Sequence, residues 1–316
     1  MISRIVIENF NGVPLKELVF QSGVFAAYGA FGPDRTCMFD VLHLLMSIAR
    51  GVATPAISYG MLSDVVDARI TVYIKTTRYG EIVYSCCMRQ RGMAHHISSE
   101  ELVCRGETFL ERTNDAYWLN GNQRRFGIDG AAYALGTAMP FLLDDPVSAM
   151  KNELSKVLTI SPDPLHMASF LVADMMPQFD VGLINLASYI VHRQQANPVI
   201  YGAMMDRIRA MMPAFSGFSV EQNSLGRQYL AVHHSYGWGP RGIPFELVDR
   251  SEKMLVLAAF IGTVNEYVEP LCVAWDSPLN WFGVRDGQRV FEMLLRSFLG
   301  RGQLFAVMQG DNPQKG

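Results

Sequence analysis

One junction constrains this chain more than any other: an apolar strand runs into a glycine loop, and the loop opens a helix. The apolar stretches Ile5-Val6-Ile7 and Val24-Phe25-Ala26-Ala27 lead to Gly29-Ala30-Phe31-Gly32-Pro33-Asp34-Arg35-Thr36. Helical character then begins, from Cys37-Met38-Phe39-Asp40 to Val41-Leu42-His43-Leu44-Leu45. A strand that turns through glycines into a helix leaves backbone N–H groups unpaired at the positive end of the helix, a ready anion site. In the pattern G-x-x-x-x-G-K-[ST], those amides cradle phosphates, the lysine reaches the β/γ-phosphates, and the Ser/Thr hydroxyl binds Mg²⁺. Here Asp34 stands at the second glycine, Arg35 at the lysine, and Thr36 keeps the hydroxyl. The competing account is a glycine turn joining any strand to any helix, with Thr36 as its cap.

Composition narrows the setting. The chain has 316 residues, 49% of them hydrophobic, which is ample for a sizeable core. A net charge of -3 gives no global field toward a polyanion, so nucleic-acid binding would need a local patch. No apolar run nears the roughly 20 residues that span a bilayer, so no membrane contact is expected. Five irregularly spaced cysteines (Cys37, Cys86, Cys87, Cys104, Cys272) fit a reducing cytoplasm. Cys86-Cys87 with His95-His96 lacks the C-x-x-C and H-x-x-x-H spacings of zinc sites, and structural roles are expected.

The first half reads as strands: Ile2 to Phe10, Leu15 to Phe20, Val24 to Tyr28, Ala68 to Thr76, Glu81 to Arg89, Glu100 to Arg105 and Phe109 to Arg112. A helix from about Thr36 to Ala49 interrupts them, and Arg105-Gly106 and Asn120-Gly121 mark hairpin turns. From about Gly130 the spacing is helical: Ala131 to Pro140, Val147 to Val157, Leu183 to Gln195 and Pro198 to Met212. Gly217 to Val220 and Leu230 to His234 return to strand. A helix over Asp249 to Val268 should set Met254, Leu257, Ala258, Ile261 and Val264 on one face. The run Leu271-Cys272-Val273-Ala274-Trp275 ends on Asp276, before a helix over Asp286 to Leu299 and a strand from Leu304 to Met308. No internal repeat or obvious linker appears. The expected organisation is one α/β domain with a β-rich lobe (1–129), a helical insertion (130–215) and a C-terminal lobe (216–316).

A buried strand that ends by presenting a carboxylate, Cys272 to Asp276, has the form of a Walker B element, whose Asp orders Mg²⁺. With the upstream glycine loop, the chain resembles ATP-binding-cassette (ABC) ATPases of the RecF/SMC and OLD kind, in compact form without a long coiled coil. Ile5-Val6-Ile7-Glu8-Asn9-Phe10 is similar to that family's first strand, and Gly29 to Thr36 sits where its phosphate loop belongs. Asp180-Val181-Gly182-Leu183-Ile184-Asn185-Leu186 resembles the "dGxNLa" helix start. Ile243-Pro244-Phe245-Glu246-Leu247 through Ser251-Glu252-Lys253-Met254-Leu255 falls at the signature loop and its helix. Leu271 to Asn280 resembles "lhhhDEPxn", so the resemblance runs in order along almost the whole chain.

The resemblance implies a nucleotide site of Gly29, Gly32, Asp34, Arg35, Thr36, Cys37 and, from a paired subunit, Ser251. Thr36 and Asp276 would hold Mg²⁺. The departures fall on the catalytic positions. Asp34 replaces a glycine, and a carboxylate about 4 Å from a phosphate charge costs on the order of 4 kcal/mol at an effective dielectric near 20. Arg35 keeps the charge, but its planar fork differs from a compact ammonium. Val248-Asp249-Arg250-Ser251-Glu252 has no signature glycine. Ser277 stands where the family places the glutamate that positions water, and losing a general base costs about 10²–10⁴ in rate. Gln309 stands at the switch histidine.

The expected function is that of a pseudo-ATPase, a structural or regulatory subunit of a DNA-related or phage-defence assembly. It would pair with itself or with an active ATPase or nuclease, with ATP and Mg²⁺ as the cofactors if nucleotide binds at all. Two rivals remain: a slow ATPase of the same kind, and a nucleotide-free interaction scaffold. Gly237-Trp238-Gly239-Pro240-Arg241-Gly242 fits G-x-G-x-x-G but lies far from the N-terminal unit and reads as a loop. Met88-Arg89-Gln90-Arg91 and Arg124-Arg125 read as solvated faces rather than phosphate contacts. Among the methionine pairs, Met204-Met205 and Met211-Met212 are expected to divide between core and interface, since neighbours on a helix do not face one core.

Overall fold

The computed structural model describes residues 1–10, 13–21, 23–29, 33–51, 67–91, 94–113, 115–119, 124–138, 145–171, 183, 185–235 and 242–309. Of these, 24–29, 33–37, 90–91, 94–95, 124 and 307–309 are described as backbone only. Strands β1 (Ile2–Phe10), β2 (Val13–Val19) and β3 (Gly23–Gly29) precede helix α1 (Pro33–Arg50). Next come β4 (Ala68–Thr76), β5 (Gly80–Arg91), β6 (Ala94–Cys104), β7 (Glu107–Thr113), β8 (Ala116–Leu119) and β9 (Arg124–Gly127). Short α2 (Ala134–Thr137), α3 (Pro146–Ser155) and β10 (Val157–Ile160) lead to α4 (Leu186–Ala196) and α5 (Pro198–Met211). The last elements are β11 (Phe215–Gln222), β12 (Gln228–His234), β13 (Ile243–Pro244), α6 (Arg250–Tyr267), β14 (Cys272–Asp276), α7 (Val284–Phe298) and β15 (Gln303–Gln309). These elements form two compact units, one of Met1–Gln21 and Gly29–Val157, the other of Ser22–Tyr28 and Leu158–Gly310.

The first unit is built on an antiparallel sheet in the order β2-β1-β4-β5-β6-β7-β8-β9. Period-two alternation decides its faces. On β4, Ala68, Ile70, Val72 and Ile74 are fully buried, while Arg69, Thr71, Tyr73 and Lys75 point the other way. Helices α1 and α3 contribute the apolar stripes Val41, Leu42, Leu45 and Val147, Met150, Leu154 to the same core. The β6–β7 hairpin turns through Arg105 (φ 53°) and Gly106 (φ 81°), the two positive φ angles that a tight primed turn requires. Asn120-Gly121 lies outside the described residues. Cys86 and Cys87 are buried in β5; Arg69 Nε donates to Cys87 Sγ at 3.1 Å, and burial pushes the Cys86 thiol well up.

The helix expected over Ala131 to Pro140 shrinks, among the described residues, to the single turn α2. Its amino end is fixed by a buried carboxylate from the sheet. Glu100, in the middle of β6, accepts from Ala134 N (2.6 Å), Leu135 N (3.1 Å) and the Tyr84 hydroxyl (2.7 Å). It also pairs with Arg112 Nη1 at 3.0 Å, both side chains being 0% exposed. Arg112 in turn donates to the carbonyls of Asp129 (3.0 Å), Gly130 (3.3 Å) and Ala132. The backbone ahead of α2 is thus held by a guanidinium, with Asp129 O also accepting from Ala132 N (3.1 Å) and Gly130 O from Ile97 N (2.8 Å), rather than by the ladder of a longer helix.

In the second unit a sheet in the order β10-β14-β15-β3 is accompanied by a smaller one, β11-β12-β13. Helix α6 was expected to bury one face. Instead every residue from Lys253 to Asn265 is buried, consistent with a segment that is apolar all round, KMLVLAAFIGTVN. Met204 and Met205 are both buried as well (2% and 5% exposed), contrary to the expectation for adjacent positions. Helix α5 is covered on more than one side, by α4, α6 and β11, so neighbouring directions both meet core.

Asn265 ties this unit together: its Nδ2 donates to Ser297 O and its Oδ1 accepts from Leu271 N, each at 2.7 Å. Gly302 makes the room. A Cβ there would overlap Asn265 Oδ1 and lie 2.7 Å from the Leu271 carbonyl. Gly302→Ala is expected to lower unfolding stability by about 3 kcal/mol, the upper range for overpacking against fixed backbone. Urea denaturation measures it, and a change under about 1 kcal/mol contradicts this packing. No helix among the described residues is long and apolar enough to cross a membrane.

Candidate nucleotide site

In the second unit, the carboxyl ends of β14 and β15 carry the candidate residues Asp276 and Gln309. β14 and β15 run parallel with Asp276 opposite Val307, which places Gln309 two residues further along the neighbouring strand. Gly23 N donates to Gly302 O at 2.9 Å, so β3 and β15 begin side by side. Gly29 closes β3, Gln309 closes β15 and Asp276 closes β14. Open α/β sheets bind ligands at such an edge, outside the carboxyl ends of the strands.

Gly32 lies outside the described residues. Asp34, Arg35, Thr36 and Cys37 occupy the first turn of α1, with only their backbone described. The glycine-rich stretch from Gly237 and the segment from Asp180 to Gly182 also lie outside the described residues.

Asp276 is described in full. Its Oδ1 accepts from the Ser277 hydroxyl at 2.9 Å, and its Oδ2 accepts from Ser161 Oγ at 3.4 Å. Ser277 is 8% exposed and adopts φ 53°, a left-handed conformation that is uncommon for a residue with a side chain. Such strain persists only where the surroundings over-determine it, and it clusters at functional sites. Ser161 was not singled out from the sequence. It follows β10, the strand beside β14, and Val157-Leu158-Thr159-Ile160 before Ser161-Pro162 is a strand-then-turn signal that locates it.

Ser251 sits elsewhere, on the first turn of α6. Its amide donates to Asp249 Oδ1 at 2.8 Å and its hydroxyl donates to the same oxygen. These hydrogen bonds hold the Asp249 carboxyl below the usual carboxylate range. A carboxylate thus already caps the positive end of this helix. Two residues on, Lys253 is 2% exposed and donates from Nζ to the carbonyls of Pro164 and Glu246, both at 2.7 Å. Burial lowers its pKa. Through Lys253 the start of α6 is tied to the segment after β10, the same segment whose Ser161 reaches Asp276.

The fold is similar to that of known structures. An SMC head bound to the C-winged helix domain of ScpA is 14% identical, with a TM-score of 0.55 over 98% of this chain and 90% of that chain. The chain has the fold of an ABC-type ATPase head. An Smc head with an extended coiled coil, bound to the C-terminal domain of ScpA derived from Pyrococcus furiosus, gives 13% identity and 0.50 over 98% and 90%. The recombination mediator RecF with ATP gives 10% identity and 0.50 over 99% and 92%. No protein-family model and no curated protein matches the sequence. The ABC-type likeness covers nearly the whole chain and fixes the fold; the chemistry has to be argued from the residues.

Proposed function

We propose that this chain is a degenerate ABC-type head acting as a structural or regulatory subunit, with ATP hydrolysis absent or very slow. The observation that carries the reading is Ser277. At the position after the strand-terminal Asp276 it offers a hydroxyl, itself donated to the Asp276 carboxylate, where a water-activating carboxylate is needed. A hydroxyl with a pKa far above neutrality does not take a proton from water, so the general-base contribution, about 10²–10⁴ in rate, is lost. The strained φ at this position supports descent from a site in which the side chain had a task.

By the resemblance, Thr36 and Asp276 would each offer Mg²⁺ a hard oxygen donor of the kind it takes while keeping several waters. Mg²⁺ bound there with ATP would neutralise phosphate charge. Arg35 supplies a further cation at the loop, and Asp34 works against the same phosphates. In a head-to-tail pair the amino end of α6 would face the partner's nucleotide. Its own carboxylate cap, Asp249, weakens that contact and fits a subunit that pairs without sealing an active site. A second copy, or an active ATPase or nuclease, is the partner we propose, in a cytoplasmic DNA-related or phage-defence assembly. The similar SMC heads bound to ScpA domains, and the recombination mediator RecF, support partner-dependent work in general.

Calorimetric titration of the purified protein with ATP and Mg²⁺, with phosphate release followed in parallel, tests this. Saturable binding with no release above the blank is expected. Release abolished by Asp276→Ala would establish the slow ATPase instead. No binding at all would leave a nucleotide-free scaffold.

A further inference from the structure

Helices α5, α6 and α7 of the second unit line an open cleft of about 440 Å³, within the size range of small-molecule sites. It opens beside Glu266 near the carboxyl end of α6. Ser251 is fifteen residues earlier on that helix, about 22 Å away at 1.5 Å per residue. The cleft is therefore separate from the signature-like end.

Three guanidiniums line it: Arg207, Arg289 and Arg296. Arg207 is held in a built seat. Its Nη1 donates to Ser297 Oγ at 2.6 Å, its Nη2 pairs with Glu266, and its head lies 6.0 Å from the Tyr267 ring centroid. The seat depends on Gly262, since a Cβ there would stand 2.7 Å from Arg207 Nη1 and 2.9 Å from Ser297 Oγ. A glycine inside a helix weakens it, so this one is a space made for a cation.

Arg289 is steadied by the Ala210 carbonyl at 3.2 Å, with Asp286 at 3.9 Å. Arg296, seven residues on and on the same face of α7, has no hydrogen bond or ion pair among the described residues. Against the three cations the lining sets two carboxylates. Arg207 matches Glu266, and Glu292 accepts from the Gln288 amide at 3.3 Å. Asp286 stands against Arg289 from outside the lining, so the formal charges balance, and Arg296 is the lining cation with no ion-pair partner among the described residues. Met211 and Met293 supply an apolar, adaptable wall beside it.

We propose that this cleft binds a small organic oxyanion, a phosphate monoester or a carboxylate. The oxyanion lies on the forks of Arg296 and Arg289, and the apolar body lies on Met211 and Met293. Guanidinium forks match both oxyanions bidentately, and the thioethers favour a ligand with an apolar part over a bare ion.

The test is calorimetry on the full chain at low salt with phenyl phosphate, benzoate and inorganic phosphate as the probes. One-site binding of phenyl phosphate or benzoate is expected, at least tenfold tighter than inorganic phosphate; which of the two binds more tightly separates the phosphate from the carboxylate source. R296Q, a change at an exposed side chain, should weaken the organic probes at least tenfold. M211S should weaken them without affecting inorganic phosphate, and T36A in the glycine loop should change nothing. The proposal is overturned if no probe saturates, if R296Q leaves the affinities unchanged, or if T36A rather than R296Q abolishes binding.

Discussion

Glu100→Ala is expected to lower the unfolding free energy by about 3–5 kcal/mol, the range for removing one partner of a fully buried ion pair. The cause is the number of groups that one carboxylate satisfies. Arg112, Tyr84 and the amides of Ala134 and Leu135 all donate to Glu100, and the pair itself has no exposed atoms. Removal takes the carboxylate partner from a buried guanidinium and the acceptor from two helix-start amides. The usual remedy of replacing both charges with apolar residues should recover little here. Arg112 also donates to the carbonyls of Asp129, Gly130 and Ala132, bonds that a methionine would remove, leaving Asp129 O with Ala132 N and Gly130 O with Ile97 N. Urea denaturation of Glu100→Ala, and of Glu100→Leu with Arg112→Met, measures both effects. A loss below about 1 kcal/mol in the single variant would mean that the network contributes little.

Asp34→Gly is expected to raise ATP affinity. Two effects act in one direction: a negative charge leaves the neighbourhood of the phosphates, and the backbone regains the freedom of a glycine for close approach. Repulsion on the order of 4 kcal/mol corresponds to about three decades in affinity, an upper bound because salt screens it. A gain of at least about tenfold by calorimetry is the expected result. Equal affinities for the two proteins would place the defect elsewhere in the loop.

Strands and long helices were legible in the sequence wherever one face or one period dominated. Ile2 to Phe10 and Ala68 to Thr76 match their strands residue for residue; alternation is regular along Ala68 to Ile74, and in the first strand it holds from Ile5 to Ile7. The helix expected from Pro198 to Met212 is α5, and the Asn197 side chain caps it by accepting from Ile200 N at 3.2 Å. Long-range polar contacts were what the sequence did not reveal. Glu100 and Arg112 entered only as the bounds of strands, since nothing local shows that both side chains point into the core. For the same reason α2 was drawn too long. Helix α6 was given one apolar face because periodicity picks a stripe even from a segment that is apolar all round. At the candidate site, Asp276 and Ser277 were legible from an apolar run ending in Asp, whereas Ser161 depends on β10 lying beside β14. That neighbour relation is set by the sheet and by no local pattern.

The central claim, a nucleotide fold without efficient hydrolysis, is met most directly by steady-state phosphate release from the purified wild-type protein with ATP and Mg²⁺, using Asp276→Ala as the blank. If Ser277 has taken the place of the water-activating carboxylate without replacing its chemistry, the two proteins release phosphate at the same background rate. Release by the wild type well above that of Asp276→Ala would contradict the account and make this chain a working ATPase.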